Sequence, residues 1–396
     1  MHRNVTPTGV PAGTDHPLEV RPVTSKRDLK RFITLPRQIY AGLEGFVAPF
    51  DIEQSSLLHP KRAAIFQHAD IQYFLAWRGG KAVGRIAAIM DSVAIQHWQG
   101  PIGQFGALDC LPEQAVVDSL LNAAEKWLRA RGATTMRGPY TLSCNGETGI
   151  MVEGQLAPPT LAMPWHPKGL GDCLERAGFT KTKDLLSYRL DLTPDLQERF
   201  KTPGQIKMGE GRFRDITTRP MVKKEIVTQA ETLRQLYNDA WSQKDNFIPL
   251  QSHEMAALMK QISPLLKPEH YVQIDRKGEP LAMALVLPNL HDITGDLNGD
   301  PSPLGWVKFG YRMMRHRFTS ARVTLLGVSH KVRGTMLGAL LPSLAIMELI
   351  KRADRMPYKW VELGWIQEDD SGMRNLAESL VPKAHKCHRV YEKPLD

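Results

Sequence analysis

The stretch GVSHKVRGTMLGALLPSLAIMELIKR, Gly327 to Arg352, reads as the end of an apolar strand, a basic turn and a long apolar helix. The turn holds Lys331, Arg333 and Gly334, and no Ser, Thr, Asp or Asn stands cleanly as the helix cap. A helix N-terminus presents unpaired N–H groups and a partial positive charge, so an anion can complete it. Gly334 would let the backbone approach a phosphate closely, while Lys331 and Arg333 add charge. Binding of an anion such as a phosphate is the chemistry this turn offers. A surface turn with ordinary basic residues is the plain alternative.

Two other polar stretches invite a chemical reading. Asp369 and Asp370 precede SGMRNLAESL, where capping of that helix ranks above catalysis. From Gly305 to Arg322, Trp306, Phe309, Tyr311, Met313, Met314 and Phe318 alternate with Lys308, Arg312, Arg315, Arg317 and Arg322. Such a segment either lies on an anionic membrane or packs a basic-faced helix on a sheet. It comes with no helix-turn-helix, RNP or finger motif, so nucleic acid is not an expected partner.

The elements that must position these residues fall into two series. In the first, Glu19–Val23 reads as a strand, Ser25–Tyr40 as a helix, Ile71–Ser92 as a hairpin turning at Gly79–Gly80, and Ile102–Cys110 as a strand. The helix Gln114–Ala133 places Val116, Val117, Leu120, Leu121, Ala124, Trp127 and Leu128 on one face and stops at Gly132. The strand TTMRGPYTL, a helix at LERAGF and a strand at LLSYRLDL follow. The second series repeats this order: helices, the hairpin Tyr271–Pro288, strand RVTLLGV, the helix to Arg352, strand Trp360–Ile366, helix SGMRNLAESL and strand KCHRVYEK. The repetition predicts a tandem duplication of one α+β domain. Boundaries are expected at 1–17 for a disordered tail, 18–201 for the first domain, 202–223 for a Lys-rich connector and 224–396 for the second domain.

Composition sets outer bounds. The 396 residues are 42% hydrophobic, enough for two cores. Lys and Arg number 51 against 42 Asp and Glu, a formal charge of +9, which favours anionic partners. The four cysteines form no CxxC pair, and no His/Cys cluster has zinc spacing; no metal is expected and a reducing, cytoplasmic setting fits. No apolar run approaches the roughly 18 residues of a membrane span. Any attachment would be peripheral, at the inner face of the inner membrane.

At the basic turn the sequence resembles the GNAT acyltransferases, whose pyrophosphate signature is Gln/Arg-x-x-Gly-x-Gly/Ala after a splayed central strand. Lys331, Gly334 and Met336 occupy those positions. The segments NDAWSQKDNFIPL, GEPLAMALVLPNLH, LLGVSHKVRG, VELGWIQEDD and HRVYEK follow in order, and the first half adds LPRQIY, FLAWRGGKAVGRIAA, RGPYTLSCNGETGIMVEG and AGFTKTKDLLSYRL. Together they look like the large two-domain GNAT proteins of bacteria, from about Leu18 to Lys393. Some members are ceramide synthases, which join a fatty acyl group from acyl-CoA to the amine of a sphingoid base.

The resemblance implies two GNAT-like domains, each a mixed, mostly antiparallel twisted sheet flanked by helices. It implies acyl-CoA at Gly327, Val328, Ser329, Lys331, Arg333, Gly334, Thr335, Met336 and Gly338, with an oxyanion donor among the backbone N–H groups of Gly327 to Ser329. A lipid-like amine acceptor would attack the thioester directly. Glu362, His330, His291 and Glu368 are the choices for proton transfer, and Asn145, Glu147, Trp241, Asn246, Asn289 and Trp365 for acceptor or acyl-chain contacts. The first half has Pro112 and Glu113 where the basic turn would stand, which assigns acyl-CoA to the second half. Three departures stand out. Pro342 should kink the helix or break a backbone hydrogen bond, Pro288-Asn289-Leu290-His291 replaces the usual Pro-Asp-Leu-Asn, and SGMRNLAESL lacks the tyrosine that many members use to protonate the thiolate. Two rivals remain: acylation of an amino acid or other small amine, and a silent acyl-CoA or membrane-binding module.

Overall fold

Ser25 opens the first helix by accepting the Asp28 N–H at 3.0 Å, as its sequence position predicts. This computed structural model describes residues 16–98, 100–196, 210–244 and 247–395. Asn246, most of the expected tail, and 202–209 of the expected connector lie outside the described residues. The rest of that connector holds a short strand, Ile216–Arg219, which pairs with Gln273–Arg276. The four residues ITTR carry too little periodicity to announce it.

The chain forms two compact units. The first comprises residues up to Leu185, 294–305 and everything from Lys386; the second comprises 186–293 and 306–385. The units are therefore not consecutive halves, because a strand takes its partners from the sheet and not from the nearest sequence.

The first unit runs β1 (Leu18–Pro22), α1 (Lys26–Ile39), α2 (Asp51–Leu58), β2 (Ala69–Arg78), β3 (Lys81–Asp91), α3 (Ser92–His97), β4 (Ile102–Cys110), α4 (Gln114–Arg129), β5 (Thr135–Gly138), β6 (Ile150–Glu153) and α5 (Leu170–Arg176); β7 (Thr180–Asp191) crosses the division. The second adds β8 (Ile216–Arg219), α6 (Ile226–Trp241), α7 (Ser252–Ile262), β9 (Tyr271–Arg276), β10 (Glu279–Pro288), α8 (His291–Thr294), α9 (Pro303–Met314), whose first three residues are counted with the first unit, β11 (Ser320–Val328), α10 (Met336–Lys351), β12 (Trp360–Gln367) and α11 (Ser371–Leu380), before β13 (Lys386–Pro394) returns to the first.

Strand order is β1-β2-β3-β4-β5-β13 in the first unit, with β6 also on β13, and β12-β11-β10-β9-β8 in the second. In each, the strand after the hairpin pairs parallel with the strand after the next helix: β4 with β5, and β11 with β12. Beside these pairs, β3 on β4, β13 on β5 and β10 on β11 run antiparallel, as do the hairpins β2–β3 and β9–β10. The repeat expected from the sequence is present down to a register shift on the hairpin strand facing the central one, between Arg85 and Ala87 and between Leu285 and Val286.

Core packing follows the helical stripes. Val116, Val117, Leu120, Leu121, Ala124 and Leu128 of α4 are buried against the first sheet, as their spacing predicts. In α10, Leu341, Leu344, Ala345 and Leu349 meet Val272, Ile274, Ala282 and Val361. Pro342 is contained within an unbroken α10. It lacks the N–H that would bond the Gly338 carbonyl one turn earlier.

Candidate functional site

β11 and β12 run side by side only at their beginnings. Their register spans Ser320↔Trp360 to Val323↔Leu363, yet β11 continues to Val328 and β12 to Gln367. Beyond Val323, Thr324, Leu325 and Leu326 are only half-buried, although they lie on a central strand. The pair opens into a gap.

The pairing with β10 says which backbone groups face that gap. Ser329 N–H donates to the Leu281 carbonyl at 2.8 Å, and the register continues Ala282↔Val328, Met283↔Gly327, Ala284↔Leu326. Hydrogen-bonded and non-bonded pairs alternate along antiparallel strands. The N–H groups of Gly327 and Ser329 therefore serve β10, while those of Leu326 and Val328 point the other way, to the β12 side. The donors expected at Gly327–Ser329 shift accordingly by one residue, and Leu326, which sequence reasoning missed, joins Val328. Register parity is the signal that finds it.

The indole of Trp241 lies against Gly327: a Cβ there would sit 2.5 Å from the ring. Tyr237 stacks on Trp241 with ring centroids 4.7 Å apart. Gly327 thus admits an aromatic wall beside the opened strand.

After β11 comes the basic turn. Contrary to the sequence expectation, α10 has its own cap: Thr335 Oγ1 accepts the Gly338 N–H at 3.1 Å and donates to the Val332 carbonyl at 2.6 Å. The cap escaped notice because Thr335 sits inside the turn, not before it. Gly334 takes φ +72° beside open space, a conformation that favours glycine. A Cβ at Gly338 would sit 2.1 Å from the Val332 carbonyl oxygen, so the helix start can close onto the turn only without a side chain there. That requirement favours a second alignment of the signature, Arg333-x-x-Met336-x-Gly338, with arginine first and glycine last; Met336 is 67% exposed.

The turn's side chains are held from neighbouring elements. Lys331 pairs with Glu279, whose carboxylate raises the ammonium above its ordinary value. Arg333 donates to the Ala240 carbonyl. Asp239 pairs with the His330 ring and accepts the His330 N–H at 3.0 Å. Burial lifts the Asp239 carboxyl, but hydrogen bonds from Ser329 and His330 outweigh it and keep it below the usual carboxylate range.

At the closed end of the gap, Glu362 is fully buried and its carboxylate meets His385 Nε2 at 2.9 Å. Arg322 is its register partner on β11; that guanidinium donates to the Gly364 carbonyl at 3.1 Å and lies 4.7 Å from the centre of the Trp365 ring. His385 was not among the sequence candidates. Its position just before the matched segment HRVYEK was the available signal. With Nε2–H donating to the carboxylate, the imidazole lone pair resides on Nδ1.

Other candidates lie elsewhere. Asn289 is buried and donates to Ser320 Oγ at 3.0 Å, while Asp292 accepts the Thr319 and Ser320 N–H groups. His291 follows, its N–H on Asn289. Both therefore attend the start of β11, roughly 26 Å along the strand from Val328. The Glu368 carbonyl accepts from Arg374 at 2.8 Å. Asp370 caps α11 through the Met373 N–H at 3.1 Å and binds Lys244 at 2.6 Å, which supports the capping reading.

In the first unit the corresponding gap is filled by its own backbone. Tyr140 N–H donates to the Phe105 carbonyl at 2.8 Å, and a Cβ on Gly106 would fall 1.4 Å from the Tyr140 oxygen. At the start of α4, the Glu113 carboxylate binds Arg78 at 2.8 Å. A negative group stands where the second unit has its basic turn. Asn145 and Glu147 form a turn in which the Glu147 carbonyl accepts the Thr141 N–H at 2.7 Å and its carboxylate accepts the Thr141 hydroxyl at 3.1 Å. Burial and the Glu147 charge push Glu53 up to about 7, against a lowering backbone hydrogen bond from Phe50.

No family model matches the sequence. The chain is 34% identical over 383 residues to the bacterial ceramide synthase of Caulobacter vibrioides, covering 96% of this chain and 99% of that protein. It is 30% identical over 379 residues to protein YghO of Escherichia coli strain K12, covering 95% of each. Among solved structures, a tandem GNAT protein from the clavulanic acid biosynthesis pathway matches with a TM-score of 0.55 at 14% identity, over 96% of this chain and 99% of that one. The glucosamine N-acetyltransferase region of a fungal multi-domain β-N-acetylglucosaminidase matches with a TM-score of 0.51 at 14% identity, over 98% of this chain and 39% of that one.

Proposed function

The chain belongs to the tandem GNAT acyltransferase family, and from that premise we propose that it moves a fatty acyl group from acyl-CoA to the amine of a lipid-like acceptor, a sphingoid base. N-acyl transfer follows from the family; donor and acceptor are our reading. The observation that carries it is the gap between β11 and β12, with the Leu326 and Val328 N–H groups directed to it and the basic turn at its end. The ceramide synthase relative supports the sphingoid acceptor.

In this reading the pyrophosphate rests on the turn Lys331–Gly338, with Arg333 and Lys331 supplying charge. The pantetheine arm runs back along β11, pairing with Val328 and Leu326 as a further strand would. The thioester oxygen meets a backbone N–H already oriented for the charge that develops on it. The neutral amine attacks the carbonyl carbon; an N–C bond forms, the C–S bond breaks, and CoA departs as thiol after protonation. The amine proton goes to His385 Nδ1, and Glu362 holds the ring and stabilises the imidazolium. Trp241 and Trp365 line the acyl path. A covalent enzyme intermediate is not required. Three of the four free cysteines are buried, and burial pushes Cys387 up to about 12. Free thiols suit a cytoplasmic setting.

Thiol release from palmitoyl-CoA, with and without 3-oxosphinganine, sphinganine or a panel of amino acids, tests this directly. Acceptor-dependent thiol and an amide of matching mass are expected with the sphingoid bases. Turnover with amino acids alone would replace the acceptor. Acyl-CoA binding without turnover on any amine would replace the enzyme reading with a silent module.

A further inference from the structure

Among the described residues, no helix is long and apolar enough to cross a membrane, but α9 presents a surface of a different kind. Phe309 and Met313 pack on the core of the second unit, and Arg312 donates to the Ile293 carbonyl at 2.7 Å. These contacts fix one side of the helix. On the other, Leu304, Val307, Tyr311 and Met314, spaced three, four and three residues apart, form a single stripe and are 77%, 68%, 45% and 81% exposed. Trp306 is exposed beside them.

Along the segment that carries the stripe, charge has one sign. From Pro303 to Arg317 there is no Asp or Glu, whereas Lys308, Arg312, Arg315 and Arg317 are all present. The Arg315 and Arg317 guanidinium groups each lie 5.7 Å from the centre of the Tyr311 ring, flanking the apolar row. A packed helix would have buried this row, and a merely solvated one would not carry it.

We propose that α9 docks the protein on an anionic bilayer. The helix would lie in the plane of the interface, with Leu304, Val307 and Met314 among the upper acyl chains. Lys308, Arg315 and Arg317 would reach the lipid phosphates by extending their stems along the apolar stripe. Tyr311 and Trp306, each apolar with a polar tip, suit the headgroup level. None of its residues was assigned to the acyl-transfer gap, and its argument holds whatever the acceptor.

Co-sedimentation of the full chain with sucrose-loaded vesicles tests it. Vesicles of phosphatidylcholine with one quarter phosphatidylglycerol should bind at least about tenfold more tightly than phosphatidylcholine alone, and added salt should erode the difference. The triple change Leu304→Ser, Val307→Ser, Met314→Ser should weaken binding about tenfold or more. Lys308→Gln, Arg315→Gln, Arg317→Gln should abolish the preference for anionic lipid. All six side chains are exposed, so both variants should keep the wild-type melting temperature, which is checked alongside. Absence of binding by the wild type, or unchanged binding by a folded apolar variant, would overturn the proposal. A dimer in sedimentation velocity that the apolar variant dissociates would assign the stripe to a second copy.

Discussion

At the scale of the residue, the decisive pair is Glu362 and His385. A fully buried carboxylate on an imidazole is a positioning arrangement, so its two members should fail differently. His385→Ala should lower kcat about 10²–10⁴-fold with the acyl-CoA KM retained. Glu362→Gln should lower kcat less than His385→Ala does, because it leaves the imidazole in place and loosens only its hold. A loss as large as that of His385→Ala would assign Glu362 more than a positioning part. His291→Ala should leave turnover close to wild type, since His291 sits at the far end of β11. Glu53 makes a prediction about stability. Its folded value near 7 lies above the unfolded carboxyl value, so its penalty is absent at low pH and grows as pH rises from about 4.5 through 7. Glu53→Gln should accordingly raise stability by about 1–3 kcal/mol at pH 8 and by little at pH 4, measured by urea unfolding at both. Equal effects at the two pH values would contradict a Glu53 carboxyl raised by burial and by Glu147.

At the scale of the element, the proposed reading makes the start of α10 the place of donor binding. Gly338→Ala places a methyl where the Val332 carbonyl already lies, so the turn must shift and the KM for acyl-CoA should rise with little change in kcat. Thr335→Ala removes the cap and the hydroxyl's bond to the Val332 carbonyl without adding bulk, and should cost about 1 kcal/mol of stability. Thermal melts and initial rates separate the two. Much of this element was legible in the sequence: β4, the hairpins, the apolar face of α4 and the strand-turn-helix around Gly334 all follow from periodicity and turn residues. The cap at Thr335, the parity that selects Leu326 and the pairing of His385 with Glu362 were not. Each depends on which residues stand opposite one another across a sheet or a turn, and a single chain read in order does not contain that information. The same reason hides the return of β13 to the first unit: nothing in KCHRVYEK says that Tyr391 will face Gly138.

At the scale of the molecule, one fold has been used twice with different outcomes. The first unit fills its β4–β5 gap with the Tyr140 backbone and sets Glu113 at the helix start; the second leaves its gap open and sets Arg333 and Lys331 there. The chain should therefore bind one equivalent of CoA, not two, by isothermal titration calorimetry, and Lys331→Glu with Arg333→Glu should remove that equivalent. The central claim, that acyl transfer belongs to the second unit's gap, is tested most directly by covalent mapping. A palmitoyl-CoA analogue with a photoreactive group near the thioester would be cross-linked, and the labelled peptides sequenced by mass spectrometry. Label on Thr324–Val328 and Glu362–Gln367 is the predicted result; label on Ile102–Cys110 or Thr135–Tyr140 instead would place the chemistry in the first unit and contradict the account.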